Sequence, residues 1–329
     1  MYDGPVRRRT LLAVAGASAL AAVAPVRAQR PVRRIAWVSA DRPENNTGYL
    51  EFLAGLRAAG YRVGGDLIVD ARWGMGSFEQ AEILAAEVVA SKPDLIVTQG
   101  PVVRYVRKTG TTLPVVFGFS GDPVAAGVVD SFARPGRNYT GVSFFALDLV
   151  GKRFELLKET LPALRRVACI ANPDHPGEST ELRVSREAGE RLRVDVAYFP
   201  VSSQREFDAA LEGTARARAD AIVLFPDAGM MRYAEAIAAF GTRERIPAIS
   251  GWAIFARRGN VMSYGPNLDQ GYGRLAYYVD RVLKGAKPGD LPVELPSRVE
   301  LTLNLKAAKA IGLAFPQSMI GRADEVIPA

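Results

Sequence analysis

Short apolar runs and longer amphipathic segments follow one another along most of the chain. Residues 35–39 and 114–117 are nearly continuous apolar runs of the length expected for strands buried on both faces. Between such runs, apolar residues recur every three or four positions, as at Tyr49, Phe52 and Leu56, which indicates helices with one buried face. Strands and helices that alternate in this way predict an α/β fold with doubly wound parallel sheets.

The second half of the chain takes up the same arrangement after residue 143. Residues 93–100, a helix and residues 113–116 are matched by residues 219–226, a helix and residues 246–249. The match is one of pattern and not of sequence identity, and in each half a parallel strand ends in a loop that opens a helix. Ligands bind at such strand ends in α/β sheets, so the chain is predicted to form two lobes that face each other across a cleft.

The last third of the sequence has too little apolar surface to build a third core. A helical stripe ends near Gly285, residues 287–292 form a linker, and residues 299–303 alternate as one strand. We expect these elements to return to the two lobes, so that three segments of chain join the lobes as a hinge. The predicted boundaries are residues 29–145 with 266–291 for lobe 1, and residues 146–265 with 292–329 for lobe 2.

The first 28 residues have the composition of an export signal. Three arginines at positions 7–9 precede an uncharged apolar run at 11–23, and residues 26–28 form a small-residue cleavage site. The apolar run is too short to span a bilayer. We therefore predict that the signal is cleaved near Ala28 and that the mature protein is periplasmic and not embedded in a membrane. Export would follow the general secretory route or, since two of the arginines also fit a twin-arginine motif, the twin-arginine route.

The charge of the chain does not indicate a nucleic-acid partner. The formal net charge is +7, of which residues 1–28, with four arginines and one aspartate, supply +3. The remaining charge of about +4 is spread along the sequence, without a basic block that contains aromatic residues. We therefore expect no binding to nucleic acid.

Catalytic and metal chemistry are also not indicated. The chain has one cysteine, Cys169, in an apolar run, and one histidine, His175, in a turn at residues 172–176 that we expect to be a surface loop. With one histidine and one cysteine, the chain cannot assemble a familiar zinc cluster or a Cys-His pair. A Walker A run, a Gly-x-Gly-x-x-Gly turn after a strand and a Gly-x-Ser-x-Gly elbow are all missing from the sequence. We predict that the protein is not an enzyme and binds no metal and no cofactor.

Several motifs resemble those of a known family. The first are GDPV at residues 121–124, GVV at 127–129, ARPG at 133–136 and TGVS at 140–143. In this order they resemble the ABC transporter substrate-binding proteins, in the group of type I periplasmic binding proteins that is related to tryptophan and tyrosine binders. Later segments that fit the same family are residues 151–158, 262–267, 283–288 and 322–326.

The resemblance implies a function as well as a fold. It implies an exported, monomeric receptor of an ABC import system, which captures a small organic ligand by lobe closure and delivers it to a membrane permease. Two loops, at residues 99–102 and 226–229, depart from the family pattern and weaken the case for an α-amino acid. We expect an aromatic or apolar carboxylate or amino acid. One alternative is a ligand-sensing module for a membrane receptor kinase, and a third is an exported hydrolase that depends on His175.

Nine residues are candidates for contact with the ligand. Gly100 and Asp122 lie where a proline begins a helix, and the free N–H groups of a helix N-terminus favour a carboxylate. Phe119 and Trp252 follow strands of different lobes, where two rings can sandwich a flat ligand. The remaining candidates are polar groups at strand ends or at the hinge. The full set is Ser39, Gln99, Gly100, Phe119, Asp122, Ser143, Asp227, Trp252 and Tyr264.

Each kind of candidate also has a purely structural interpretation. Asp122 and Asp227 fit helix caps. The two aromatic residues fit packing inside a lobe, because aromatic side chains near strand ends are usually part of a core. Tyr264 suits a hinge position, and the short polar groups at strand ends also stabilise turns.

Overall fold

The computed structural model describes Met1, residues 32–44 and residues 46–329. The predicted export signal lies outside the described residues. No helix within residues 32–44 and 46–329 combines the length and the apolar character needed to cross a membrane.

The first part of the described chain forms a five-stranded parallel sheet in the order β2-β1-β3-β4-β5. With its helices, this sheet is called lobe 1. Its strands are β1 (Arg33–Ser39), β2 (Leu67–Trp73), β3 (Leu95–Gln99), β4 (Val115–Phe119) and β5 (Tyr139–Ser143). The helices between them are α1 (Thr47–Ala58), α2 (Phe78–Ala90) and α3 (Val102–Lys108).

The second sheet has seven strands in the order β12-β11-β10-β9-β8-β6-β7, and with its helices it is called lobe 2. All neighbouring strands are parallel except β10 and β11, which are antiparallel. The strands are β6 (Arg166–Ala171), β7 (Asp195–Pro200), β8 (Ala221–Leu224), β9 (Ala248–Ser250), β10 (Met262–Pro266), β11 (Val299–Asn304) and β12 (Glu325–Ile327). The helices of lobe 2 are α4 (Asp148–Thr160), α5 (Glu178–Leu192), α6 (Gln204–Arg216), α7 (Ala234–Glu244), α8 (Ala253–Arg257), α10 (Leu305–Ala310) and α11 (Gln317–Ile320). The remaining helix, α9 (Leu268–Leu283), packs on lobe 1.

Polar residues at the helix N-termini explain where several helices begin. The side chains of Asn46, Ser77 and Asn267 each accept a hydrogen bond from the backbone N–H three residues later. At α6, Ser203 and Glu206 form a complete capping box. These caps satisfy backbone donors that have no partner inside the helix.

Alternate residues of the first strand are buried on opposite faces of the lobe 1 sheet. Ile35 and Trp37 pack in a core with α1 and α9, whereas Ala36 and Val38 pack in a second core with α2 and α3. The central strand β6 of lobe 2 divides its side chains between two cores in the same way. Cys169 is fully buried there, as its apolar surroundings in the sequence predict. Both sheets are thus covered by helices on both faces.

Three segments of chain pass between the lobes. Residues 144–147 lead from β5 into α4. The second crossing is at Asn267, between β10 of lobe 2 and α9, and the third runs from residue 291 to β11, with Glu294 forming a bridge to Val142 on the way. The predicted architecture of two α/β lobes and a three-segment hinge is confirmed. The residue boundaries assigned to the lobes from sequence stay a prediction.

The second crossing depends on a residue without a side chain. A Cβ atom on Gly265 would lie 1.8 Å from the carbonyl oxygen of Gly251, on the neighbouring segment of lobe 2. We expect Gly265→Ala to lower the free energy of unfolding by about 1–3 kcal/mol, because a backbone segment must move to admit the methyl group. Urea denaturation measures the change.

Gly273, in α9, offers a matched control. A Cβ atom there meets only the carbonyl oxygen of Glu51, at 3.7 Å, an ordinary van der Waals distance. Because alanine favours a helix interior over glycine, Gly273→Ala is expected to be neutral or to stabilise the protein by up to about 1 kcal/mol. Equal losses in both variants would contradict a steric requirement at Gly265.

Candidate ligand-binding site

A cavity of about 580 Å³ lies between the two lobes. Its size is in the range of small-molecule sites in proteins. Lobe 1, with α9, supplies one wall and lobe 2 supplies the other. Lining residues include Asp41, Asn46, Gln99, Gly100, Ser120, Phe144, Leu268 and Tyr272 on the first wall, and Ala228, Met231, Arg232, Trp252, Ile254 and Arg258 on the second.

The lobe 1 wall carries a chain of hydrogen bonds centred on Asn46. Its amide nitrogen donates to Asp41 Oδ2 at 3.2 Å and to Gln99 Oε1 at 3.1 Å, while its oxygen caps α1. Desolvation within the cleft raises the pKa of Asp41, and hydrogen bonds from Asn46 and Ser39, together with the charge of Arg258 on the opposite lobe, oppose that rise. The side-chain amide of Asn46 thus has hydrogen-bond partners for its nitrogen and for its oxygen, and it holds Asp41 and Gln99 in place.

Tyr272 of α9 extends this wall. Its ring lies between Gly48 and Gly118, and a Cβ atom on either glycine would come within 2.7 Å of a ring carbon. Burial raises the pKa of Tyr272, and the nearby Gln99 side chain opposes that rise. The two glycines thus make the slot that presents the hydroxyl of Tyr272 to the cleft.

The lobe 2 wall combines an aromatic ring with cationic groups. Trp252 immediately precedes α8 and is 5% exposed. Its indole N–H has no hydrogen-bond partner among the described residues. The guanidinium of Arg232 lies over the Tyr233 ring and donates to its hydroxyl, and Arg258 donates to the carbonyl oxygen of Met231. These contacts hold two guanidinium groups at the cleft while leaving donors free, since each has five N–H groups.

Beside the cavity the lobes touch directly through the loop between β6 and α5. His175 Nε2 lies 3.3 Å from Ser120 Oγ of lobe 1 and 3.8 Å from Asp227 Oδ2 of lobe 2. The backbone N–H of Asp122 donates across the lobes to the carbonyl oxygen of Pro176 at 3.0 Å. The structure is therefore a closed form of the two lobes.

The prediction that His175 belongs to a surface loop is wrong for its side chain, which is 8% exposed. Burial lowers the pKa of the imidazole, and the charge of Asp227 opposes that shift. Ser120, His175 and Asp227 include the residue types of a catalytic triad, but the serine and the aspartate approach the same imidazole nitrogen. In a triad the aspartate bonds to the other nitrogen, so this arrangement lacks the required geometry.

Three of the nine candidate residues line the cavity: Gln99, Gly100 and Trp252. Gly100 has a left-handed backbone conformation, with φ of +64°, but the helix that follows it has only seven residues. Asp227 lies next to the cavity, where its carboxylate accepts hydrogen bonds from the backbone N–H of Met230 and from Asn172. The bond from Met230 resembles that of a helix cap, whereas the bond from Asn172 joins two side chains.

The other five candidates do not line the cavity. Phe119 is packed in a core of lobe 1, and Ser39 accepts a hydrogen bond from the backbone N–H of Asp41. Asp122 caps a turn, not the short helix expected after it, by accepting from two backbone N–H groups. Ser143 is buried and donates to the carbonyl oxygen of Gly121, while Tyr264 packs against a lobe 2 core.

Several cavity residues, Tyr272 and Asn46 among them, are not among the nine candidates predicted from the sequence. The asparagine does carry a usable signal, because it precedes an amphipathic segment as an N-cap does. Within the described residues, no group of three or more His, Cys, Asp and Glu side chains is arranged to hold a metal ion.

Known proteins resemble this chain in sequence and in fold. A curated tyrosine-binding protein from Clostridioides difficile (strain R20291) is 23% identical over 267 residues, which cover 80% of this chain and 75% of the relative. An ABC domain from Streptococcus pneumonia, solved in complex with L-Trp, superposes with a TM-score of 0.82 at 22% identity, over 90% of this chain and 99% of that one. A conserved domain protein from Vibrio cholerae gives a TM-score of 0.83 at 24% identity, over the same shares.

These structural similarities establish the fold as that of the type I periplasmic binding proteins. The sequence model of the family described as ABC transporter substrate binding protein matches residues 39–327, which is most of the chain. The match contains all three hinge segments, every cavity residue named above and both lobes apart from most of β1. The chain belongs to the family of ABC transporter substrate-binding proteins.

Proposed function

We propose that this chain is the exported solute receptor of an ABC import system and that its ligand is an aromatic or other apolar carboxylic acid, amino acids included. The observation that carries the proposal is the chemistry of the cavity walls. Trp252 and Tyr272 lie on opposite lobes, and Arg232 and Arg258 lie on the same wall as the tryptophan. The relatives named for tyrosine and L-Trp support a ligand of this kind.

The two kinds of group have separate roles in this proposal. Aromatic rings in offset or edge contact contribute about 0.5–1.5 kcal/mol beyond the burial of their area. The guanidinium groups recognise the carboxylate by charge-assisted hydrogen bonds. On the other wall, Asp41, Gln99 and the Tyr272 hydroxyl accept or donate hydrogen bonds to polar groups at the far end of the ligand. Gly100 contributes space for close approach.

Lobe closure connects binding to transport. The cavity has walls from both lobes, so a ligand held there favours the closed form and shifts an existing equilibrium between open and closed forms. We propose that the closed form of the monomer is what the membrane permease recognises, and that residues 1–28 direct export. Gene neighbourhood separates import from sensing, since permease and ATPase genes beside this one support import.

A thermal-shift screen of residues 29–329 tests the ligand class. The panel contains the amino acids, aromatic acids, nucleosides and sugars. A ligand present at a hundred times its Kd is expected to stabilise the protein by about 2.7 kcal/mol, and we expect aromatic carboxylates to do so. Stabilisation by hydrophilic sugars alone would contradict the proposal.

Trp252→Leu, analysed by calorimetry with the best ligand from the panel, extends the test to a residue. Leucine keeps apolar volume but removes the ring, so Kd is expected to rise by about 2- to 12-fold, which corresponds to the contribution of a ring pair. Trp73→Leu is the control, because Trp73 packs against Trp37 and Tyr49 in lobe 1 and does not line the cavity. An unchanged Kd in Trp252→Leu would remove this residue from the site.

A further inference from the structure

The loop between β6 and α5 is where lobe 2 docks on lobe 1 beside the cavity. Two of its residues make the contact: the imidazole of His175 meets Ser120 Oγ at 3.3 Å, and the carbonyl oxygen of Pro176 accepts from the backbone N–H of Asp122 at 3.0 Å. The ring of Phe119 lies 6.5 Å from the imidazole, centroid to centroid. The only histidine of the chain is therefore part of the closed interface.

The groups around His175 divide between the lobes according to their effect on its charge. Asp227 and Glu178 favour the protonated form, and both belong to lobe 2, as His175 does. The groups that disfavour protonation come from lobe 1: Phe119 and Ser120 help to exclude water, and Arg104 of α3 adds a positive charge. Opening the lobes removes the disfavouring groups and leaves the two carboxylates in place.

We propose that His175 is a pH-sensitive latch of lobe closure, which holds the lobes together when the imidazole is neutral and releases them when it is protonated. The latch rests on the proposed function only in that it controls the closure by which the ligand is captured. Neutral imidazole can keep its contact with the Ser120 hydroxyl in the dry interface. An imidazolium must instead be desolvated next to the cationic side chain of lobe 1.

The direction of the pH dependence follows from this division. Burial lowers the pKa of His175 in the closed form, whereas the open form keeps the two carboxylates that raise it, so closing expels a proton at pH values between the closed-form pKa and the higher open-form pKa. The closed form is therefore fully favoured above the open-form pKa and is lost as the pH falls through it. Each unit by which closure lowers the pKa reduces the ratio of closed to open protein by about tenfold at acid pH.

A disulfide across the cleft provides a test that requires no ligand. A Cβ atom on Gly100 of lobe 1 would lie 3.9 Å from the Cβ atom of Ala228 of lobe 2, which is within the range for a disulfide. The cysteine at position 100 must adopt the φ of +64° of Gly100, which costs about 1–2 kcal/mol, and the oxidised Gly100→Cys/Ala228→Cys variant is then expected to be held closed. Cys169 does not compete, because it is fully buried and burial strongly raises its pKa.

NMR then follows the one histidine of a chain that carries no histidine tag. We expect the pKa of His175 to be lower in the oxidised variant than in the same chain unfolded in urea, where the imidazole is exposed. A pKa in the oxidised variant equal to or above that of the unfolded chain would overturn the proposal, because the closed interface would then not disfavour the protonated imidazole.

The rate at which the reduced variant closes its disulfide gives a second measurement. Rates at pH 5.5 and pH 7.5 are compared with those of a His175→Gln version, so that the pH dependence of thiol chemistry, common to both, divides out. We expect the chain with His175 to lose several-fold more closing rate at acid pH than the glutamine version. Equal losses would overturn the proposal. If the glutamine version does not fold, the NMR comparison decides alone.

Both measurements are made without ligand, so they can fail independently of the screen. If no compound in the panel binds but the pKa of His175 is lowered in the closed variant, the latch proposal stands and the proposed ligand class is wrong.

Asp41 is a second group in the cleft that titrates in acid, because desolvation raises its pKa. The His175→Gln version keeps Asp41, so an effect of that carboxyl appears in both chains and cancels.

Discussion

Arg153→Leu is expected to lower the free energy of unfolding by about 3–5 kcal/mol, the usual loss when one member of a buried ion pair is removed. Arg153 and Glu181 are 1% and 4% exposed at their side chains, with Arg153 Nη1 3.0 Å from Glu181 Oε1. Arg153 Nε also donates to the carbonyl oxygen of Tyr264. Without the arginine, a buried carboxylate loses its counter-charge and a buried carbonyl loses its donor. Urea denaturation at neutral pH measures the loss.

Two further variants separate the buried charge from other effects. Arg153→Leu with Glu181→Leu removes both charges, and it is expected to recover most of the stability, because apolar residues can replace a buried pair at little cost. Lys152→Leu, the neighbouring position of α4, breaks an ion pair to Glu155 whose side chains are 45% and 46% exposed. That loss is expected to stay below about 1 kcal/mol. Similar losses in Arg153→Leu and Lys152→Leu would contradict the assignment.

The pH dependence of the Arg153→Leu variant has a definite sign. Burial raises the pKa of Glu181, and the guanidinium of Arg153 is the main group that opposes this rise. In the variant the folded carboxyl therefore binds its proton more tightly than the unfolded carboxyl does, whose pKa is about 4.3. Stability is then retained at low pH and is lost as the pH rises through the folded pKa, so the deficit is larger at pH 8 than at pH 5.

The buried pair also supports the ligand cavity. A Cβ atom on Gly251 would lie 2.7 Å from Arg153 Nη2, so the guanidinium packs directly beneath the backbone that precedes Trp252. Tyr264, which accepts the bond from Arg153, belongs to β10 just before the second crossing. The arginine thus joins α4 and α5 to the segment that positions the aromatic ring of the lobe 2 wall.

Local sequence rules were sufficient for the fold because each element carries its own signals. Gly285, near which a helical stripe was predicted to end, has φ of +99° and follows α9, and Gly60, with φ of +90°, follows α1 in the same way. Asn304 precedes α10 and accepts a hydrogen bond from the backbone N–H of Ala307, as an N-cap does. With strands and helices placed in order, the short connections leave few alternatives to two parallel sheets.

The cavity was less accessible to the sequence because its walls are assembled from distant segments. Asp41, Gln99 and Tyr272 are brought together only when α9 returns from lobe 2 to pack on lobe 1. His175 looked like a loop residue because a turn of polar residues surrounds it, and only the opposite lobe buries it. Strand-end position was informative at Gln99 and Trp252, but it does not say whether a side chain faces the cleft or the core behind it, as at Phe119.

Tyr272→Ala is expected to lower the free energy of unfolding by about 3–5 kcal/mol, as when a large buried aromatic side chain is removed. The ring fills the slot between Gly48 and Gly118 and lies 5.0 Å from the ring of Phe144 and 6.5 Å from that of Trp37, between ring centroids. Neighbouring backbone cannot collapse into the space, because the slot is made of strand and helix main chain. Urea denaturation of residues 29–329 measures the change.

Tyr272→Phe keeps the ring and removes only the hydroxyl, which separates the structural role of the residue from its role in binding. Its unfolding free energy is expected to fall by no more than about 1.5 kcal/mol, the value of one hydrogen bond. Affinity is expected to fall as well, because the cleft loses the polar group that the hydroxyl presents to the ligand. Parental affinity in Tyr272→Phe would show that the hydroxyl only stabilises the wall. Binding specificity would then depend on Asp41 and the two arginines of lobe 2.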